Sequence, residues 1–189
     1  MSKVRERTFI MISEHKLLRE CRRGNAKHQK ILYERYSAKM LAVCARYFQS
    51  LEEAQDALQD GFIKVFTNID NFREEGSLEG WIRRIMVNTS LNLHRKNLKH
   101  YYHVDLGETE TRIADERLSI DNLEVQDMLK MIQQLPNGYR IVFNLYEIEG
   151  YSHKEIAKEL NVSVSTSKSQ LLKAKRKLRE QIIHNNNIK

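Results

Sequence analysis

Apolar residues recur at three- and four-residue spacing through the first half of the chain, and this constrains the fold more than any other feature. Leu32, Tyr36, Met40, Val43 and Tyr47 form one series; Ala54, Leu58, Phe62, Val65 and Ile69 form a second. At about 3.6 residues per turn, each series falls on one face of an α-helix. Between them, Ser50-Leu51-Glu52-Glu53 reads as a capping box: Ser50 accepts from the Glu53 amide and Glu53 reaches back. A third helix is expected to start after Ser77 and run through Trp81, Ile85 and Leu93, which leaves 71–76 as a polar loop. Seven glycines and a single proline, Pro136, in 189 residues leave little material for the tight turns of a sheet-rich fold.

The charge is unevenly placed. The net charge is +7, with 32 Lys and Arg against 25 Asp and Glu, and a basic chain points to a polyanionic partner. Trp81 to His100 holds five basic residues (Arg83, Arg84, Arg95, Lys96, Lys99) and no acidic one. Lys168 to Lys189 holds seven basic residues and one acidic, Glu180. Between them, Tyr101 to Asp121 carries six acidic residues against two arginines and no sustained hydrophobic period. Two basic segments thus flank an acidic connector. The resulting division is an N-terminal tail (1–13), a helical domain (14–100), a linker (101–120), a second helical domain (121–184) and a short tail (185–189). The expected fold class is all-α, two small helical domains joined by a flexible acidic linker. With the basic segments held apart by such a linker, the free protein is expected to bind duplex DNA weakly. Cys21 and Cys44 share no metal-type spacing and read as reduced core thiols. No signal peptide or membrane span is expected, and no cofactor.

The second domain carries the sharpest local pattern. Asp121-Asn122-Leu123-Glu124 looks like a capping box, Pro136 suits the first turn of the next helix, and that helix carries Ile141, Val142, Leu145 and Ile148 up to Gly150. Ser152-His153-Lys154-Glu155 is a further capping box, opening a short helix with Ile156, Ala157 and Leu160 inward. Asn161 sits where the chain reverses and tolerates a left-handed backbone. Ser163 then caps a basic helix whose inward residues are Leu171, Ala174 and Leu178. Two helices joined by a short turn, the second one basic, form a helix-turn-helix. Its outward residues Ser165, Lys168, Ser169, Leu172, Lys173 and Arg176 can reach base edges and phosphates in a major groove.

Here the residues resemble a known family. SHKEIAKELNVSVSTSKSQLLKAKRKL, 152–178, resembles the promoter-binding helix-turn-helix of bacterial RNA polymerase sigma factors. DALQDGFIKVFTNIDNFREEGSLEGWIRRIMVNTSLNLHRKN, 56–97, resembles their other conserved domain, and the order and lengths are similar to the compact extracytoplasmic-function (ECF) group. The resemblance implies a cytoplasmic, non-enzymatic initiation factor, monomeric when free. Its partners would be core RNA polymerase (the clamp helices of the largest subunit and the flap of the second-largest), promoter DNA and an anti-sigma factor. By resemblance, Asp56, Gln59, Asp60 and Phe62 would contact polymerase. Phe72, Arg73, Ser77, Trp81, Arg84, Asn88, Asn92 and Arg95 would serve the −10 element, where a flipped base requires stacking and edge hydrogen bonds. Ser163, Ser165, Thr166, Lys168, Ser169, Leu172, Lys173 and Arg176 would serve the −35 element. Two positions depart from the family: Ser165 stands where glycine is frequent, and Gln170 where a basic residue is common. The acidic linker would thread the RNA exit path of the polymerase.

Two other classes compete. A stand-alone helix-turn-helix regulator accounts for the second domain but leaves 56–97 without a purpose, and such regulators usually dimerise on palindromic sites. A magnesium nuclease built on Glu52, Glu53, Asp56 and Asp60 lacks any accompanying nucleophilic or basic group at a mechanistic spacing. His94, His100 and His103 have no partner cysteine for a metal site.

Overall fold

The computed structural model describes residues 12–101 and 123–188, and side chains within 12–96 and 126–185. The expected acidic linker and the Asp121 capping box lie outside these residues. The described residues are helical, with no strand among them.

The first unit is built from α1 (Glu14–Arg22), α2 (Ala26–Ala45), α3 (Leu51–Thr67) and α4 (Leu78–Tyr101). Gly24, at φ +74°, ends α1 in a left-handed turn, and the Asn25 side chain caps α2 by accepting from the Lys27 and His28 amides. Ser50 caps α3 by accepting from the Glu53 amide, but its hydroxyl bonds the Glu53 carboxylate at 3.3 Å, a variant of the expected capping box. Leu32, Tyr36, Met40, Ala54, Leu58, Phe62 and Val65 are all buried, as the two apolar series require. α4 closes the bundle with Leu78, Ile82, Met86 and Leu91. It crosses α3 at Gly61, where a Cβ would stand 2.2 Å from the Met86 sulfur, so any side chain at 61 would force the buried Met86 side chain to shift. Cys21 and Cys44 are free and buried, and burial pushes both thiols up to about 11, which keeps them protonated and unreactive.

The second unit comprises α5 (Leu123–Gln133), α6 (Asn137–Phe143), α7 (His153–Leu160) and α8 (Val164–Ile188). Pro136 is the N-cap residue of α6 rather than its first turn. α6 runs into a five-residue π-helical turn, Asn144–Ile148, before Gly150 at φ +76°. The wider turn rotates Asn144 and Leu145 inward, to 0% exposure each. Ser152 forms the full capping box with Glu155, and Asn161 is left-handed at φ +53°, ψ +48°. Ile156, Leu171 and Ala174 fill the angle between α7 and α8, while Leu178 is half-buried.

The two units meet. Ile141, Val142 and Leu145 belong to the same contiguous buried cluster as Val43, Tyr47 and Leu91, and hydrogen bonds join residues about a hundred positions apart, such as Asn144 to Arg46. Apolar surface of α6 and polar groups of the π turn are buried against the end of α2, so the two helical units pack on one another.

Candidate nucleic-acid interface

The helix α8 begins at a dense cap. The Ser163 hydroxyl accepts from the Thr166 amide at 2.9 Å and bonds the Ser165 and Thr166 hydroxyls, each at 2.7 Å. These polar groups cluster at the positive end of the helix. Lys168, Ser169, Leu172, Lys173 and Arg176 follow as one exposed stripe, with Leu172 71% exposed. Ser169 bonds the Thr166 carbonyl at 3.0 Å, Lys173 lies 6.0 Å from the Tyr139 ring, and Arg176 is 3.9 Å from Glu180. Behind the stripe, buried Ser167 bonds His153 Nδ1 at 2.9 Å, fixing α7 against α8. The arrangement presents hydroxyls at the amino end and cations further along, on a helix face that nothing in its own unit covers.

The second surface lies on α4 and the loop before it. Trp81, Arg84, Asn88, Asn92 and Arg95 share one face, opposite the buried Met86 and Ser90. Arg84, Asn88, Asn92 and Arg95 are wholly or partly exposed; Trp81 is half-buried, with its ring 5.4 Å from that of Phe72. Phe72 itself is 6% exposed, so it props Trp81 from beneath and offers no free face to a base. Arg73 and Ser77 are exposed, and Ser77 caps α4 by accepting from the Gly80 amide at 3.1 Å. The loop is held by Arg22, a residue that no sequence pattern flags. Arg22 donates to the Phe72 carbonyl at 2.6 Å and to the Glu74 carboxylate at 2.9 Å, while Glu74 sits at φ +61° and Gly76 at φ +123°. A left-handed glutamate is unusual and needs such an anchor.

On α3, Asp56, Gln59 and Asp60 are exposed together, but Phe62 is not part of that face. It is 3% exposed and packs on Tyr33 with ring centroids 4.7 Å apart. The helical period turns position 62 into the core, and the exposed apolar residue on that side is Ile63, at 63%. Among the described residues, no three His, Cys, Asp or Glu side chains are arranged to hold a metal ion, so Glu52, Glu53, Asp56 and Asp60 do not form such a set. No described helix is long and apolar enough to cross a membrane.

Comparison with known proteins covers both units. Residues 32–99 match the Sigma-70 region 2 family, and 126–178 match Sigma-70, region 4. The chain belongs to the sigma-70 family. Its relatives include the ECF RNA polymerase sigma factor SigW of Bacillus subtilis, 29% identical over 178 residues, with 88% of this chain and 95% of that protein covered. The RNA polymerase sigma-H factor of Pseudomonas aeruginosa is 28% identical over 173 residues, covering 86% of this sigma factor and 90% of the relative. A solved structure, the sigma factor RpoE in complex with the anti-sigma factor NepR from Bartonella quintana, shares the fold at TM-score 0.55 and 22% identity, covering 81% and 95% of the two chains. The family match places the α8 stripe in region 4, and the α4 face, with its loop, in region 2.

Proposed function

We propose that this sigma factor, of the ECF type, directs core RNA polymerase to promoters by reading two elements with its two units and opening the upstream edge of the bubble at one of them. The observation that supports this most directly is the pairing, on one chain, of an exposed basic recognition helix with a separate basic helix bordered by an aromatic-lined loop. Neither surface alone has a reason to require the other; promoter recognition by a polymerase-bound subunit requires both.

In this reading α8 enters the major groove at the −35 element. Lys168 and Ser169 lie near its amino end, where side chains reach base edges, and Lys173 and Arg176 lie further along, nearer phosphates. At the −10 element Trp81 supplies a stacking surface, Arg73 and Ser77 border the loop, and Arg84, Asn88, Asn92 and Arg95 line a path for a single strand. Asp56, Gln59 and Asp60 present an acidic patch to the polymerase clamp. The flap of the second-largest subunit, promoter DNA and an anti-sigma factor complete the partners, and the reading gives the protein no catalytic site and a place in the cytoplasm. One solved relative is bound to its anti-sigma factor, which supports the last partner.

Run-off transcription with purified core polymerase on a randomised promoter library tests the proposal. Enrichment of templates sharing two conserved blocks is expected. A stand-alone regulator would instead bind DNA as a dimer and yield no factor-dependent transcript.

A further inference from the structure

Between two fixed ends, the loop that leads into α4 has little backbone support. Upstream, the Phe72 amide donates to the Ile69 carbonyl at 3.3 Å, and Ile69 is buried. Downstream, Ser77 caps α4 through the Gly80 amide, and its carbonyl accepts from the Trp81 amide at 3.1 Å. Among the described residues, 73–76 make no backbone–backbone hydrogen bond, and all four are exposed. Two of them stand at positive φ, Glu74 at +61° and Gly76 at +123°. Glycine adopts that region freely, whereas a glutamate there is strained and needs an external hold.

Arg22 of α1 supplies that hold. Its Nη2 donates to the Phe72 carbonyl at 2.6 Å and its Nη1 to the Glu74 carboxylate at 2.9 Å. One rigid guanidinium therefore fixes the backbone at 72 and the side chain at 74 relative to each other; a lysine, with a single point charge, has no such fork. Arg73 lies between the two held residues and is exposed. The Arg22 side chain is only 30% exposed, so the pair is less screened than a free surface ion pair. His15 Nδ1 lies 3.5 Å from the second Glu74 oxygen, but the His15 side chain is 76% exposed and adds less. The Arg22 charge has a second effect. A loop that meets a polyanion would be weakened by a bare Glu74 carboxylate, and the guanidinium offsets that charge. The held carbonyl also belongs to the residue whose ring supports Trp81, at 5.4 Å between centroids. Arg22 is thereby linked to the stacking surface through Phe72.

We infer that Arg22 is a positioning residue for −10 recognition: its guanidinium shapes the 72–76 loop before DNA arrives, so that an unstacked base of the −10 strand meets a preformed pocket. The inference rests on the assignment of this loop to the −10 element under the proposed function, and adds the residue of α1 that sets its geometry. A loop ordered only on binding gives up affinity in proportion to the freedom it loses. A base flipped out of the duplex already costs its stacking and pairing, so an unformed loop loses part of the discrimination between bases. Arg22 acts through Phe72 and Glu74, so its removal should blur the −10 block and leave the −35 block, read by α8, unchanged.

Arg22→Gln and Glu74→Gly test this in the full-length protein with core polymerase. Glycine tolerates the left-handed φ, so Glu74→Gly removes the anchor point without adding strain, and circular dichroism melts verify the folding of both variants. Trp81 is the single tryptophan of the chain, and acrylamide quenching of its fluorescence reports on the loop without DNA or polymerase. Quenching should rise in both variants. In transcription from a randomised template library, both should lose about fivefold or more of the preference at one or two −10 positions, the scale of one displaced base contact, with −35 preferences unchanged. The double variant should be no worse than the more affected single variant, because the two residues act as one unit. Unchanged Trp81 quenching in Arg22→Gln would overturn the hold on the loop. Raised quenching with −10 preferences intact, equal weakening of both blocks, or additive losses in the double variant would overturn the positioning role. If the wild type itself gives no factor-dependent transcript, the promoter-reading proposal fails, while the quenching comparison still decides whether Arg22 shapes the loop.

Discussion

Lys168→Ala and Arg176→Ala should separate base reading from phosphate binding on α8. The two residues are eight positions apart, so about 12 Å separates them along the helix axis. Both lie on the exposed stripe. Lys168 follows the Ser163 cap by little more than a turn, where a helix entering a major groove meets base edges. Arg176 lies two turns further on and pairs only loosely with Glu180, at 3.9 Å, so releasing it to a phosphate costs little. Removing a base contact should cost about 1–3 kcal/mol at one or two promoter positions, a preference change of roughly 5- to 150-fold there. Removing a phosphate contact should weaken all sequences alike and lower the salt slope by about 0.9. The assay is promoter-library transcription for each variant across a salt series, with thermal melts to verify folding. If Lys168→Ala leaves the −35 preference unchanged while Arg176→Ala alters it, the helix docks in another register and the assignment fails.

Three further outcomes follow from packing and titration. Leu171→Ala, at 7% exposure between α7 and α8, should lower stability by about 2–5 kcal/mol in a thermal or denaturant melt, whereas Leu172→Ala, at 71% exposure, should change it by less than about 0.5 kcal/mol. Gly61→Ala should destabilise by about 1–3 kcal/mol, because its Cβ would meet the Met86 sulfur at 2.2 Å, and Met86→Val should recover part of the loss in a double-mutant cycle. Burial, with repulsion from Arg140 second, pushes His94 down to about 4. The unfolded chain therefore binds a proton that the folded one refuses, so stability should fall as pH drops from about 6.5 towards 4, and His94→Gln should remove that component of the pH profile.

The helices, the Ser152 capping box, the left-handed Asn161 and the inward face of α8 are legible in the sequence because each rests on local spacing or local hydrogen bonding. The exposed stripe of α8 is legible for the same reason: an amphipathic helix announces its outer face. Family resemblance assigns Phe62 and Phe72 to surfaces, but the helical period of α3 and the packing of Trp81 turn both rings inward, leaving Ile63 and Trp81 outside. The π turn at 144–148 is invisible because one extra residue in a helical turn leaves no mark on composition. Arg22 and Arg140 escape notice for a related reason. An arginine that anchors backbone carbonyls looks like any other in a basic chain, and only tertiary contacts across some 50 to 93 positions reveal those partners. The junction between units is likewise unreadable, since polar caps on the end of α2 have no periodicity to detect.

The most direct test of promoter recognition is run-off transcription by core polymerase, with and without this sigma factor, on a randomised template library. Reading of two elements by two units predicts factor-dependent transcripts whose templates share two sequence blocks at a fixed separation, with the upstream block altered by Lys168→Ala. No factor-dependent transcript, or enrichment of a single palindromic block bound equally well without polymerase, would contradict it.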